Sequence, residues 1–456
     1  MRSVALALSF LGAFCVAVVP TTARAVSLIR DAEIENTIRV WATPLFEAAG
    51  LVPDDVHIVL VNDRTLNAFV AGGQNLFLNT GLLLRSQHAG QVIGVIAHET
   101  GHIAGGHLAR LPEAMKNATA MAILSLLIGA VAGVAAGRPD AAVAGVAGGM
   151  TAAERNFLAY TRTQEASADQ AGVNFMEQNG LSSRGLMEFF DILSGQELMV
   201  TSRQDPYVRT HPLTKERIDF VRNFVARSRY SDAPLPPEWV EMHKRMRAKL
   251  FGFIEPISRT LTIYKDDDKS VEARYARAVA LYRKPDVPRA LATIDSLLRE
   301  APNDPFFHEL RGQTLFENGR AAEALPAYER AVELLPKSGL LRIDLARVQL
   351  EFNRPDMDGK AVANLNEALR QEGENSMAWR QLAIGEGRIG NIGMAALALA
   401  EEALLLGKYR IALGQAQRAE RLLPVGSPPH MRVQDLQVQA RRELAKQRDQ
   451  GGGQLP

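Results

Sequence analysis

The chain has 456 residues, 47% of them hydrophobic and 23% charged, with a formal net charge of +1. That length exceeds what one hydrophobic core organises and points to about two to three domains. The near-neutral charge, with no strongly basic stretch, excludes the electrostatic footprint of a nucleic-acid binder, and the single cysteine, Cys15, excludes a disulfide framework.

The N-terminus carries Arg2, an apolar run from Val4 to Val19, Pro20, and then Ala23-Arg24-Ala25 in the small-x-small form of a signal-peptidase site. Residues 1–25 therefore read as a cleaved export signal, because the apolar run is short for a bilayer span. Cys15 lies inside it and lacks the preceding small residue of a lipoprotein site. The mature chain is then expected to have no thiol, hence no cysteine metal ligand or nucleophile, which suits an oxidising compartment.

From Asp55 to Leu84, alternating β-branched residues, the Gly72-Gly73 turn and Asn75-Leu-Phe-Leu-Asn79 predict a small antiparallel sheet. A strand through Asn67, Ala68 and Phe69 at its edge would offer an extended peptide main-chain hydrogen bonds. Next comes His98-Glu99-Thr100-Gly101-His102 in a helix-forming segment. Positions i and i+4 return to one helix face, so both imidazoles can converge on one metal, with Glu99 beside them as general base. Zinc suits two neutral imidazoles and can keep a position open. His107 falls one residue short of the third metzincin ligand position, which is Leu108, so it reads as a group supporting the site and not as a ligand.

Residues 118–137 contain no charge, and glycines recur at 129, 133 and 137 and at 145 and 149. The stretch 118–150 is compatible with a close-packed hairpin or lid, an element touching a membrane, or a span. Glu165 and Asp169 again lie four apart; the first can complete the metal site while the second accepts the other ring N–H of His98 or His102. Beyond Lys269, Leu281 and Leu315, Ala290 and Ala324, and Pro302 and Pro336 each stand 34 residues apart. That period, with small residues in each helix pair, resembles the tetratricopeptide repeat, whose stacked hairpins bind peptides or proteins. Units are expected at 272–304, 305–338, 339–375 and 376–409, followed by a helix over 410–423.

Together the Asn67-Ala68-Phe69 strand, His98 to His102, Glu165-Ala-Ser-Ala-Asp169, and Thr210-His-Pro-Leu-Thr-Lys-Glu-Arg-Ile218 resemble the HtpX-like gluzincin peptidases over roughly residues 26–255. The resemblance implies one zinc ion held by His98, His102 and Glu165, with Glu99 as general base. It also implies that His211 can occupy the fourth position and hold the enzyme latent. Arg217, one to two helical turns from His211, would steady either an oxyanion or the local fold.

The expected fold is α+β. A mostly helical zincin peptidase domain with a small antiparallel sheet (residues 26–265) precedes an all-α tetratricopeptide solenoid (270–445) and a disordered tail (446–456). The expected function is that of a periplasmic zinc endopeptidase, in peripheral contact with a membrane in one reading of 118–150. It would act on misassembled or unfolded envelope proteins, with the repeats recruiting substrate or the outer-membrane assembly machinery. Two competing expectations are an assembly chaperone in which binding outweighs cleavage, and an integral membrane peptidase resting on 118–150.

Overall fold

The computed structural model describes residues 27–107, 152–197, 207 and 210–451. The expected export signal at 1–25, the apolar stretch 118–150 and the last five residues lie outside the described residues. Among the described residues no helix is long and apolar enough to cross a membrane.

Strand β1 (Leu28–Ile29) leads into helix α1 (Ala32–Ala48), whose N-cap Asp31 accepts hydrogen bonds from the backbone N–H groups of Glu33 and Ile34. Ile34, Ile38, Trp41, Leu45 and Phe46 form its buried stripe. Strands β2 (His57–Val61), β3 (Ala68–Ala71) and β4 (Asn75–Asn79) complete a four-stranded sheet in the order β1-β2-β4-β3.

This sheet is mixed, which corrects the all-antiparallel expectation: β3 and β4 form the antiparallel hairpin turned by Gly72 and Gly73, but β4 then lies parallel to β2. The segment between Val61 and Ala68 is long enough to carry the chain past one strand position, so β4 inserts between β2 and β3. The insertion puts Ile58 beside Leu76 and Leu60 beside Leu78 on the buried face. It leaves β3 at the edge.

Helix α2 (Thr80–Arg85) turns into helix α3 (Ala89–Ala104), which passes through the middle of the core. Helices α4 (Ala152–Gln178) and α5 (Arg184–Glu197) pack against it, with Val173, Met176, Leu186, Phe189 and Phe190 in the same apolar cluster as α1 and the inner face of the sheet. The approach of α3 to α4 depends on glycine. A Cβ on Gly101 would lie 2.7 Å from the Ala168 carbonyl oxygen, and one on Gly172 would lie 3.0 Å from the Ala97 carbonyl carbon. Gly101→Ala is therefore expected to cost about 1–3 kcal/mol by forcing the two helices apart, read as a lowered urea midpoint.

Helices α6 (Lys215–Arg227), α7 (Pro237–Ile254) and α8 (Ile257–Ile263) lead to a series of helical hairpins. These pair α9 (Val271–Arg283) with α10 (Val287–Glu300), α11 (Pro305–Phe316) with α12 (Ala321–Leu334), α13 (Gly339–Glu351) with α14 (Pro355–Ala368), and α15 (Ser376–Arg388) with α16 (Ile392–Leu405). A fifth pair joins α17 (Tyr409–Leu422) to α18 (Pro428–Gly451). The last helix overruns the expected start of a tail at residue 446. Val433, Leu436 and Ala440 are buried against the preceding hairpin, which anchors the helix despite its polar composition.

The start of α1 meets the first helices of these hairpins. Lys249 of α7, 3% exposed, reaches Asp31 at 2.9 Å and Glu33 and Glu309 at 3.4 Å. Arg245 pairs with Glu33 at 2.7 Å and with Asp304, Tyr275 donates its hydroxyl to Glu33, and Arg30 reaches Glu372 at 2.6 Å. Burial pushes the Glu309 carboxyl up to about 8; Lys249 opposes that shift, while Asp31, Asp344 and Glu33 add to it. Ala32 joins the apolar cluster of Phe306 and Tyr328.

Candidate metal centre

Every residue of α3 from Ala89 to His102 is buried, so His98, Glu99 and His102 sit at 0%, 0% and 6% exposure inside the core and not on its surface. Past the helix end Gly106 adopts φ +59, a left-handed conformation that folds the chain back. His107 thereby returns to His102, with 3.0 Å between their Nδ1 atoms.

From α4, Glu165 and Asp169 face this helix from one side. The Glu165 carboxylate lies 3.4 Å from His98 Nε2 and 3.3 Å from His102 Nε2, while Asp169 Oδ1 takes His98 Nδ1 at 2.8 Å. Of the two histidines open to Asp169 from the sequence, the structure pairs it with His98. His211, on the turn before α6, sets Nδ1 at 3.2 Å from Glu165 and 3.4 Å from His98 Nε2, and turns Nε2 toward Glu99 at 3.5 Å. Arg217, in the first turn of α6, forks onto Asp169 at 2.6 and 2.8 Å and reaches Glu165 at 2.9 Å and the Pro212 carbonyl at 2.9 Å. Its donors are thus directed at the carboxylates that hold the site together, which favours the fold-supporting alternative over the oxyanion one.

Electrostatically, the cavity is built for positive charge. Burial alone would lower His98, yet its bonds to Asp169 and Glu165 raise it to about 9. Burial would raise Glu165, yet His211, Arg217 and His102 hold it well below the usual carboxylate range. Asp169 is likewise depressed, burial opposing and Arg217 prevailing. His102 is lowered chiefly by burial, so it favours the neutral form that binds a metal.

These donors fit a zinc ion. His98, His102, Glu165 and His211 each offer a ligand atom, all within 4.8 Å of one another. The His98 and His102 Nε2 atoms are 3.1 Å apart, and the contacts of His211 with His98 and Glu165, and of Glu165 with His98 and His102, lie between 3.2 and 3.4 Å. A tetrahedron with arms of roughly 2.0–2.1 Å has edges of roughly 3.3–3.4 Å. Both Glu99 carboxylate oxygens are buried without a hydrogen-bond partner among the described residues, an expensive arrangement for a carboxylate that faces no polar ligand.

The structure therefore brings His98, Glu99, His102, Glu165, Asp169, His211 and Arg217 into one buried cluster. Ala68 and Phe69 lie in the edge strand β3, which packs against α3, and Asn67 immediately precedes it. Phe69 stacks on Phe77 at 4.7 Å on the opposite face of the sheet from buried Ala68. Sequence reasoning missed Tyr207, buried at 1% exposure and stacked on His211 at 4.4 Å. Its backbone carbonyl accepts the His211 N–H at 2.8 Å. The only signal available was its position four residues ahead of His211, one helical turn away.

A buried His-Glu-x-x-His helix facing a glutamate on a second helix, with four side chains able to hold one metal, is the arrangement of a metalloprotease site. Residues 29–225 match the model of peptidase family M48, and residues 261–305 and 315–357 match tetratricopeptide repeat models. The chain is a metalloprotease: it carries a peptidase family M48 domain followed by tetratricopeptide repeats. The beta-barrel assembly-enhancing proteases of Yersinia pestis and Escherichia coli (strain K12) are each 24% identical to it over 424 residues, covering 91% of this chain and 85% of the relative. A solved repeat structure, YrrB, described as a TPR protein with an unusual peptide-binding site, is 18% identical and covers 38% of this chain and 91% of its own, with a TM-score of 0.32.

Proposed function

We propose that the protein is a zinc endopeptidase of the bacterial envelope that acts on misassembled or unfolded outer-membrane proteins, with its repeats recruiting those substrates or the assembly machinery. The single observation that carries the reading is the set of four ligand atoms within 4.8 Å of one another beside the buried Glu99 carboxylate, whose oxygens have no hydrogen-bond partner among the described residues. The named activity of the beta-barrel assembly-enhancing relatives, matched over 91% of the chain, supports the substrate class and the envelope setting.

His98, His102 and Glu165 would hold the zinc, which supplies Lewis acidity to polarise a scissile carbonyl and to ease deprotonation of water. Glu99 takes the proton from the attacking water and returns one to the leaving amine. Asp169 fixes the His98 ring through Nδ1, and Arg217 holds Asp169 and Glu165 in place. The edge strand from Asn67 to Phe69 positions an extended peptide by main-chain pairing. His211, whose Nδ1 lies 3.2 Å from Glu165 and 3.4 Å from His98 Nε2, would take the fourth position and keep the enzyme latent.

Metal analysis with proteolysis of an unfolded outer-membrane protein tests this reading. One zinc per chain is expected, with cleavage lost on chelation, restored by zinc, and faster in His211→Ala than in wild type. An absence of zinc would end the reading, and a His211→Ala variant no faster than wild type would end the latch.

A further inference from the structure

His98 and His102 are both gripped at the nitrogen that faces away from the ligand cluster, but by different chemistry. His98 Nδ1 meets the carboxylate of Asp169 at 2.8 Å, whereas His102 Nδ1 meets the ring of His107 at 3.0 Å. His102 Nε2 faces His98 and Glu165, so its lone pair belongs to the metal position and its proton to Nδ1. His107 Nδ1 is then the acceptor. The two rings meet edge to face with centroids 5.0 Å apart, and His107 is 8% exposed.

The surrounding chain is shaped for this contact. A Cβ on Gly105 would lie 2.4 Å from His107 Nε2, so only a bare backbone leaves the ring its room. Gly106, at φ +59, makes the reversal that returns the ring to its own helix. Gln164, the residue before Glu165, donates its side-chain amide to the His107 carbonyl at 3.4 Å, tying the turn to the helix that supplies the third ligand.

We infer that His107 is the positioning residue for His102: its Nδ1 accepts the His102 Nδ1–H and so presents His102 Nε2 to the zinc. This rests on the metal reading above. The test is the zinc dissociation constant of the full-length protein, measured by competition with a chromogenic chelator, together with the thermal midpoint of each metal-free form. His107→Ala is expected to weaken zinc binding by roughly 10–100-fold. His107→Asn, whose Oδ1 can stand where Nδ1 stood, is expected to bind close to wild type. Gly105→Ala, which keeps the histidine but displaces its ring, is expected to weaken binding as His107→Ala does. If wild type binds no zinc, both readings fall. If wild type binds and His107→Ala binds equally well, the metal reading stands and this inference is overturned. A variant set that lowers only the metal-free thermal midpoint overturns it too, since that marks a packing role. Should His107→Ala not fold, the contrast between His107→Asn and Gly105→Ala decides.

Discussion

Glu99→Gln is expected to lower cleavage of an unfolded protein by roughly 10²–10⁴-fold, the usual contribution of a positioned general base, while zinc content stays at the wild-type level. The argument is one of shape and charge. Glutamine fills the same buried volume in α3 and leaves His98, His102 and Glu165 untouched, but it cannot accept a proton. Neither Glu99 oxygen has a hydrogen-bond partner among the described residues, so substitution gives up only the 3.5 Å approach of His211 Nε2. Removing a buried carboxylate should leave stability unchanged or raise it. The measurement is best made with His211→Ala present in both forms, so that the latch proposed for His211 does not mask the difference. Ordinary turnover by the double variant would show that another group removes the proton.

Arg217→Met is expected to destabilise the fold by about 3–5 kcal/mol, the range for leaving a buried charge without its partner. Arg217 is 3% exposed and contacts two carboxylates that are themselves at 2% and 0% exposure. Burial pushes Asp169 up, and Arg217 is the largest influence bringing it down. Without the guanidinium, Asp169 must ionise unaided or take a proton and loosen its hold on His98. Methionine retains bulk against Phe190, over which the guanidinium lies at 5.1 Å, so the loss reports charge more than packing. Arg217→Lys should fall between the two because an ammonium cannot fork across both Asp169 oxygens. The urea midpoint provides the check, and a Met variant within 1 kcal/mol of wild type, on the scale of an exposed ion pair, would show that the pair is not the keystone of the site.

The parts of the site legible in the sequence are those whose geometry is set by one helix. His98 and His102 share a face through their spacing alone, and so do Glu165 and Asp169. Regular offsets such as Ala290 to Ala324 likewise expose the hairpin series, because each repeat packs on a copy of itself. Alternation shows that residues 57–61 and 75–79 are strands, but not that they are parallel neighbours. That order depends on where the connection between β2 and β3 crosses. Tyr207 escaped assignment, and His107 reads from sequence as a supporting group without its partner His102, for a related reason: each acts through a neighbour that only the turn geometry around it brings near. The charges of the α1 junction, spread from Arg30 to Glu372, have no local pattern at all.

That junction bears on how the protein can be handled as parts. Cutting the chain between Ile254 and Val271 would not release two finished bodies. The peptidase fragment would keep Arg245 and Glu33 but lose Asp304 and Tyr275 from around them, and Arg30 would lose Glu372. The repeat fragment would bare Phe306 and Phe307 where the arginine and lysine of α7 now lie over their rings. A ligand captured by isolated repeats could then be seated where the protein normally keeps its own first helix. Binding measured on the intact chain is the quantity with physiological meaning.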